Sequence, residues 1–286
     1  MSFRTEVRDL GFAEGPVALP DGGIAFVDLQ QACIRRWRDG RLETIAQLPG
    51  APNGMCLGPD GALYVANNGG VAPLGPGQHR FAEPMIDGCI QRVGMDGSVT
   101  TLTADLPGAA PCRPNDLIFL DNGDLVFTDS QNWEDIDFTR MQPDGSVPGY
   151  GGGRIYRRDA RGGVQLLRQL TGFANGLVLH PDGSLLVALT LRRCIVRLAW
   201  TAEGLGEPEP WCSFDDDVFP DGLCLYGDRL YVAASLGAKV AVVDLQGRRI
   251  DSMPCEGLPT NLCVSQGRLW VTAGLPGQLL SAALPA

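Results

Sequence analysis

The chain has 286 residues, 44 % apolar and 20 % charged, enough for a sizeable core and too hydrophobic for a disordered tract. A formal net charge of −10 without a basic cluster argues against nucleic acid and anionic membranes as partners. There is no signal peptide, no apolar stretch of about 18 residues and no CxxC among the nine cysteines, so the expectation is a cytoplasmic protein with reduced thiols.

In chain order, SFRTEVRDL reads as a lone strand. Then comes EGPVALPDGGIAFVD from Glu14, two apolar runs around a Pro-Asp-Gly turn. The same unit recurs as NGMCLGPDGALYVAN from Asn53, NDLIFLDNGDLVFTD from Asn115 and NGLVLHPDGSLLVAL from Asn175. DGLCLYGDRLYVAA from Asp221 and NLCVSQGRLWVTA from Asn261 complete the series. The first five copies are each followed by a further pair of runs, such as CIRRW-RDG-RLETIA. Four short strands repeated six times at about 40 residues or more predict an all-β, six-bladed β-propeller. The sixth unit stops after GQLLSAAL, and SFRTEVRDL supplies its fourth strand, which closes the ring and removes an exposed edge. Residues 1–286 are therefore expected to form a single domain. Cys56, Cys224 and Cys263 lie in apolar runs and are expected in the core.

Two connections are long, Asn68 to Gly88 and Ser130 to Gly153. Both follow the second strand of a unit, and both are read as loops over the face that carries the unit heads. The heads are Glu14, Asn53, Asn115, Asn175, Asp221 and Asn261, and each carries a side-chain oxygen. Taken singly, an Asn-Gly or Asp-Gly is a turn dipeptide. Six in register on strands that line the channel form a ring of oxygen donors suited to a hard divalent cation. Ca2+ matches best, with Mg2+, Mn2+, Fe2+ and Zn2+ left open. The Pro-Asp-Gly turns are assigned to the far end, away from this site. His180, beside one of them, is read as structural.

AEGPV, RPND followed by LVFTD, FANGL, and FPDGL followed by LYVAAS occur in this order along the chain. Together they resemble the gluconolactonase/regucalcin (senescence marker protein) family of six-bladed propeller lactonases. The resemblance implies a divalent cation held by Glu14, Asn115, Asn175 and Asp221, with Asn53 and Asn261 as groups around those ligands or facing substrate. Arg113 is similar to an arginine that contacts sugar-lactone hydroxyls in the family. The implied reaction is hydrolysis of a gluconolactone- or xylonolactone-like sugar lactone to the aldonic acid, with Asp221 as general base. Asp129 is the second candidate for that role, with capping of the loop as its alternative. His79 lies in the first long loop and could reach substrate. Trp133, Phe138 and Tyr150 could stack on a sugar or pack the second loop.

The family also includes organophosphate hydrolases. An apolar mouth would favour hydrophobic lactones or phosphotriesters, whereas Arg113 and polar loops favour sugars. No nucleophile elbow and no phosphate-binding glycine loop is present. A propeller scaffold with a structural metal is the non-enzymatic alternative. The expected partner is a small-molecule lactone, and the expected assembly a monomer or weak homo-oligomer.

Overall fold

The computed structural model describes residues 2–75, 77–108, 110–215 and 218–285. Six four-stranded antiparallel sheets succeed one another as blades. Blade 1 comprises Ala13–Ala18, Ile24–Asp28, Cys33–Arg38 and Arg41–Gln47. The innermost strands of blades 2 to 6 are Pro52–Leu57, Pro114–Phe119, Ala174–Leu179, Pro220–Tyr226 and Pro259–Ser265. Ala13–Ala18 touches both Pro52–Leu57 and Pro259–Ser265, so the inner strands close a ring. Closure uses the N-terminal strand as expected: Arg4–Val7 pairs with Gln278–Ala283, Thr5 opposite Leu280.

The sequence of each strand follows from its distance to the axis. Second strands lie between neighbouring blades, so Ile24–Asp28 and Leu185–Leu189 are buried on both faces and show no alternation. Outer strands such as Arg41–Gln47, RLETIAQ, are largely exposed, and their polar residues blunt the edge. Apolar clusters fill the gaps between blades, for example Val17, Val27 and Ile34 against Met55, Leu63 and Val65. At the far end the Pro-Asp-Gly turns close as read, with Gly22 at φ 83°, a conformation that favours glycine. Cys56, Cys224 and Cys263 are half-buried rather than fully buried. Burial of the inner strands falls off over their last residues, and each thiol is the fifth residue of its strand.

The two long connections differ. The first contains a small hairpin, Val71–Gly75 with Gln78–Phe81. The second contains two single turns of 3-10 helix, Trp133–Asp135 and Phe138–Arg140. It is packed down on blade 4 by its own small core of Ile136, Val147 and Leu191. Among the described residues no helix is long and apolar enough to cross a membrane.

Candidate functional site

Every inner strand shifts register at its start, between Glu14 and Val17 in blade 1 and between Pro114 and Leu117 in blade 3, for example. Such a bulge re-aims side chains. It brings Glu14, Asn53, Asn115, Asn175 and Asp221 together at the base of one cavity of about 200 Å3. The sixth head departs from the reading. Pro259 and Leu262 pair with Ala273 and Val271 as Pro220 and Leu223 pair with Ala234 and Val232. The residue equivalent to Asp221 is therefore Thr260, whose hydroxyl is engaged with Ala13 O (2.7 Å) and Thr272.

Asn261 sits one residue deeper, at the position where four blades have glycine, Gly15, Gly54, Gly176 and Gly222. The other non-glycine at that depth is Asp116. These two residues, from blades on opposite sides of the ring, meet across the channel, Asn261 Nδ2 donating to Asp116 Oδ2 at 3.3 Å. The glycines make room for them: a Cβ on Gly54 would crowd the Asp116 carboxylate, and one on Gly222 would overlap the Asn261 amide. The bar so formed lies beneath the ring.

The amides of the ring are oriented by their neighbours. Asn115 Nδ2 donates to Ser130 Oγ (3.1 Å), which donates to Ala174 O (2.8 Å). Asn175 Nδ2 donates to Thr190 Oγ1 (3.1 Å), which donates to Pro220 O (2.8 Å). Each hydroxyl spends its proton on a carbonyl of the next blade and can only accept from the amide, which leaves the amide oxygen for the axis. Asn53 makes no side-chain hydrogen bond within the described residues and is free to meet a ligand.

The electrostatics are those of crowded anions. Burial pushes the Glu14 carboxyl up to about 8, with a further rise from Asp116 and relief from the Gly15 N–H and Asn261. Burial pushes Asp116 up to about 6. Asp221 is held well above the usual carboxylate range by burial, then by the charges of Glu14 and Asp116. None of the described residues lining the cavity is basic. Buried carboxylates with oriented amide oxygens and no thiolate or imidazole fit a hard divalent cation, which would relieve their mutual repulsion.

Above this floor the walls are apolar. Phe12, Phe173 and Phe219 stand two residues before the heads of blades 1, 4 and 5, and Leu29, Leu191 and Leu236 complete the rim. The long loops add Pro73, Trp133 and Phe138.

A family model described as the SMP-30/Gluconolactonase/LRE-like region matches residues 12–274. The chain belongs to that family. A gluconolactonase of Zymomonas mobilis is 27 % identical over 194 residues, 61 % of this chain and 47 % of that protein. The matched segment thus spans about half the length of this relative. Among solved structures, a gluconolactonase of Xanthomonas campestris superposes with a TM-score of 0.78 at 24 % identity, covering 99 % of this chain and 89 % of that one. A calcium-binding regucalcin of Agrobacterium tumefaciens superposes with a TM-score of 0.74 at 18 % identity, covering 99 % and 95 %. At these identities the two structures speak for the fold.

The four residues expected to hold a cation, Glu14, Asn115, Asn175 and Asp221, all line the cavity. The other candidates are placed differently. Arg113, at the position held by Phe in blades 1, 4 and 5, turns away from the cavity and pairs with Glu134 (Nη2–Oε1 2.6 Å, Nε–Oε1 3.0 Å). Both partners are about nine-tenths buried, and the pair fastens the second loop to blade 3. Asp129 is fully buried: Oδ2 accepts from Arg154 Nε at 2.7 Å, and Oδ1 from the Arg113 and Gln131 N–H groups at 2.5 and 2.9 Å. Asp28 and Asn67, at the same strand end in blades 1 and 2, accept equivalent backbone N–H groups. This position is thus a capping site of the repeat. His79 lies on the small hairpin, edge-on to Trp133 at 4.7 Å, and does not line the cavity. Tyr150 donates to Ser130 O (2.8 Å) and stacks on Phe173, so it packs the loop.

Asp116 escaped the sequence reading as a site residue. The signal was present: aligning P-T-N-L under P-N-D-L puts Thr260 with Asn115 and Asn261 with Asp116.

Proposed function

We propose that the chain is a divalent-cation-dependent hydrolase that opens a lactone to the hydroxy acid in this cavity. One observation carries the reading: two carboxylates, Glu14 buried and Asp221 half-buried, and three Asn converge at the closed base of an open cavity, with no basic side chain among the lining residues to neutralise them. Glu14, Asn115, Asn175 and Asp221 would hold the cation, Ca2+ being the best match to oxygen donors alone. When bound, the cation supplies a Lewis acid for the ester carbonyl.

The protein's own groups do the rest. Asn53, the one ring residue outside the proposed ligand set, is placed to donate to the substrate. The apolar rim excludes bulk water, which strengthens each polar contact below it. Asp221, on the floor, accepts the proton of the attacking water as its oxygen adds to the acyl carbon. The acyl C–O bond then breaks, and the ring oxygen takes up that proton and leaves as the hydroxyl of the product. Asp129 has no free role in this sequence, since Arg154 and two backbone N–H groups occupy its oxygens.

The sugar-lactone expectation came from the family resemblance, and Arg113 and polar loops were the features of this chain that favoured it. Arg113 is engaged with Glu134, and the loops present Pro73, Trp133 and Phe138 to the cavity, so substrate class needs a separate argument. The reading is tested by stripping the protein with a chelator and following lactone hydrolysis with a pH indicator. Turnover is expected to vanish and to return with a divalent cation; turnover undiminished by chelation contradicts it.

A further inference from the structure

We infer that the substrate of this site is a lactone bearing an apolar substituent, an alkyl or aryl group, rather than a polyhydroxylated sugar lactone; this rests on the lactone-hydrolase reading above. Seven polar side chains line the cavity, besides the Trp133 indole. Two of the seven, Thr190 and Ser235, spend their hydroxyl protons on the backbone carbonyls of Pro220 and Phe219. Of the rest, Glu14, Asn115, Asn175 and Asp221 form the proposed cation site, which leaves Asn53, the acceptor oxygen of Ser235 and the Trp133 indole N–H to meet substrate hydroxyls.

An aldonolactone carries several hydroxyls around its ring. Stacking on Trp133 or Phe138 would cover one face of such a ring and leave the hydroxyls against Phe12, Phe173 and Phe219 without partners, which costs binding. Arg113, the residue expected to meet them, is held by Glu134 in a pair about nine-tenths buried.

The entrance gives a second, independent observation. Phe138 and Leu236 line the cavity and yet are 43 % and 56 % exposed. Apolar side chains left uncovered at the mouth of a cavity mark a ligand-binding surface. They extend the apolar wall beyond the ring-sized base, where a chain attached to the lactone would lie. Each methylene that the wall buries is worth roughly a fourfold gain in kcat/KM.

The test compares glucono-1,5-lactone, δ-valerolactone and δ-nonalactone as substrates of the full-length, cation-loaded protein. The expected order of kcat/KM is nonalactone above valerolactone by tenfold or more, with gluconolactone last. Replacing both Phe138 and Leu236 with Ser should lower the nonalactone-to-gluconolactone ratio about tenfold, with cation affinity, measured by calorimetry, unaltered. Preference for gluconolactone by tenfold, or a ratio insensitive to the double replacement, overturns this inference and leaves the hydrolase reading standing. Turnover of none of the three by protein shown to hold its cation overturns the hydrolase reading and this inference with it.

Discussion

The floor and the wall of the cavity are built by different rules. Each floor residue occupies the same place in its own blade, so five blades contribute one polar head each by repetition. The wall comes from positions and loops that the repeat does not constrain. Phe12, Phe173 and Phe219 share a place two residues before the heads, but Arg113 holds that place in blade 3, and Trp133, Phe138 and Pro73 come from loops of unlike structure. A repeat can therefore keep its chemistry at the floor while its specificity drifts at the wall.

The sharpest way to break this division is at Asp221. Asp221→Asn keeps the shape and removes the charge, and kcat/KM is expected to fall about 10^3-fold. The cation-free protein should melt at a higher temperature, because a buried carboxylate repelled by Glu14 and Asp116 is gone. A kcat/KM within tenfold of the parent would remove Asp221 from the chemistry. Asp129→Ala should do the reverse. It removes the carboxylate partner of buried Arg154 and is expected to cost about 3–5 kcal/mol of stability in denaturant unfolding, with the folded fraction retaining kcat/KM within a few-fold. If activity instead disappears in protein that remains folded, Asp129 belongs to the chemistry after all.

Asp116→Asn probes the bar beneath the floor. Asp116 holds the Asn261 amide that relieves Glu14, and its charge adds to the negative field under the floor, so losing that charge should weaken cation binding about 10- to 100-fold by calorimetry. The preference among lactones, a property of the wall, should not move; a shift in preference would mean that floor and wall are coupled.

The smallest effect is on pH. Glu14 is raised from 4.5 to about 8 by burial, so the stability it contributes in the cation-free protein is fully present below about 4.5 and is lost as pH rises through about 8. The melting temperature of the stripped protein should fall between pH 5 and 8. Saturating cation should abolish that fall, and a flat profile without cation would contradict the crowding of the three carboxylates.

The same division explains what could be read in advance. Blade number, ring closure, the far-end turns and five of the six heads are written six times over, so accidental turn dipeptides could not mimic them. The sixth was misplaced by one residue because Asn261 carries the expected side chain, whereas Thr260 holds the equivalent register. Asp129 was legible as a candidate base or a loop cap, and the bonds of its oxygens to Arg154 and two backbone N–H groups favour the cap. The pairing of Arg113 was not readable: Glu134 lies 21 residues on, in a loop whose path depends on its packing against blade 4. The apolar wall was hidden for the same reason, because loop composition does not tell which side chains turn inward.

The central claim is that the oxygen floor holds a divalent cation on which turnover depends. The most direct measurement is a calorimetric titration of chelator-stripped protein with Ca2+, with lactone hydrolysis followed on the same samples. One binding event per chain is expected, with turnover that rises in proportion to occupancy and loss of both in Asp221→Asn. Full turnover by protein with no bound cation would contradict that claim.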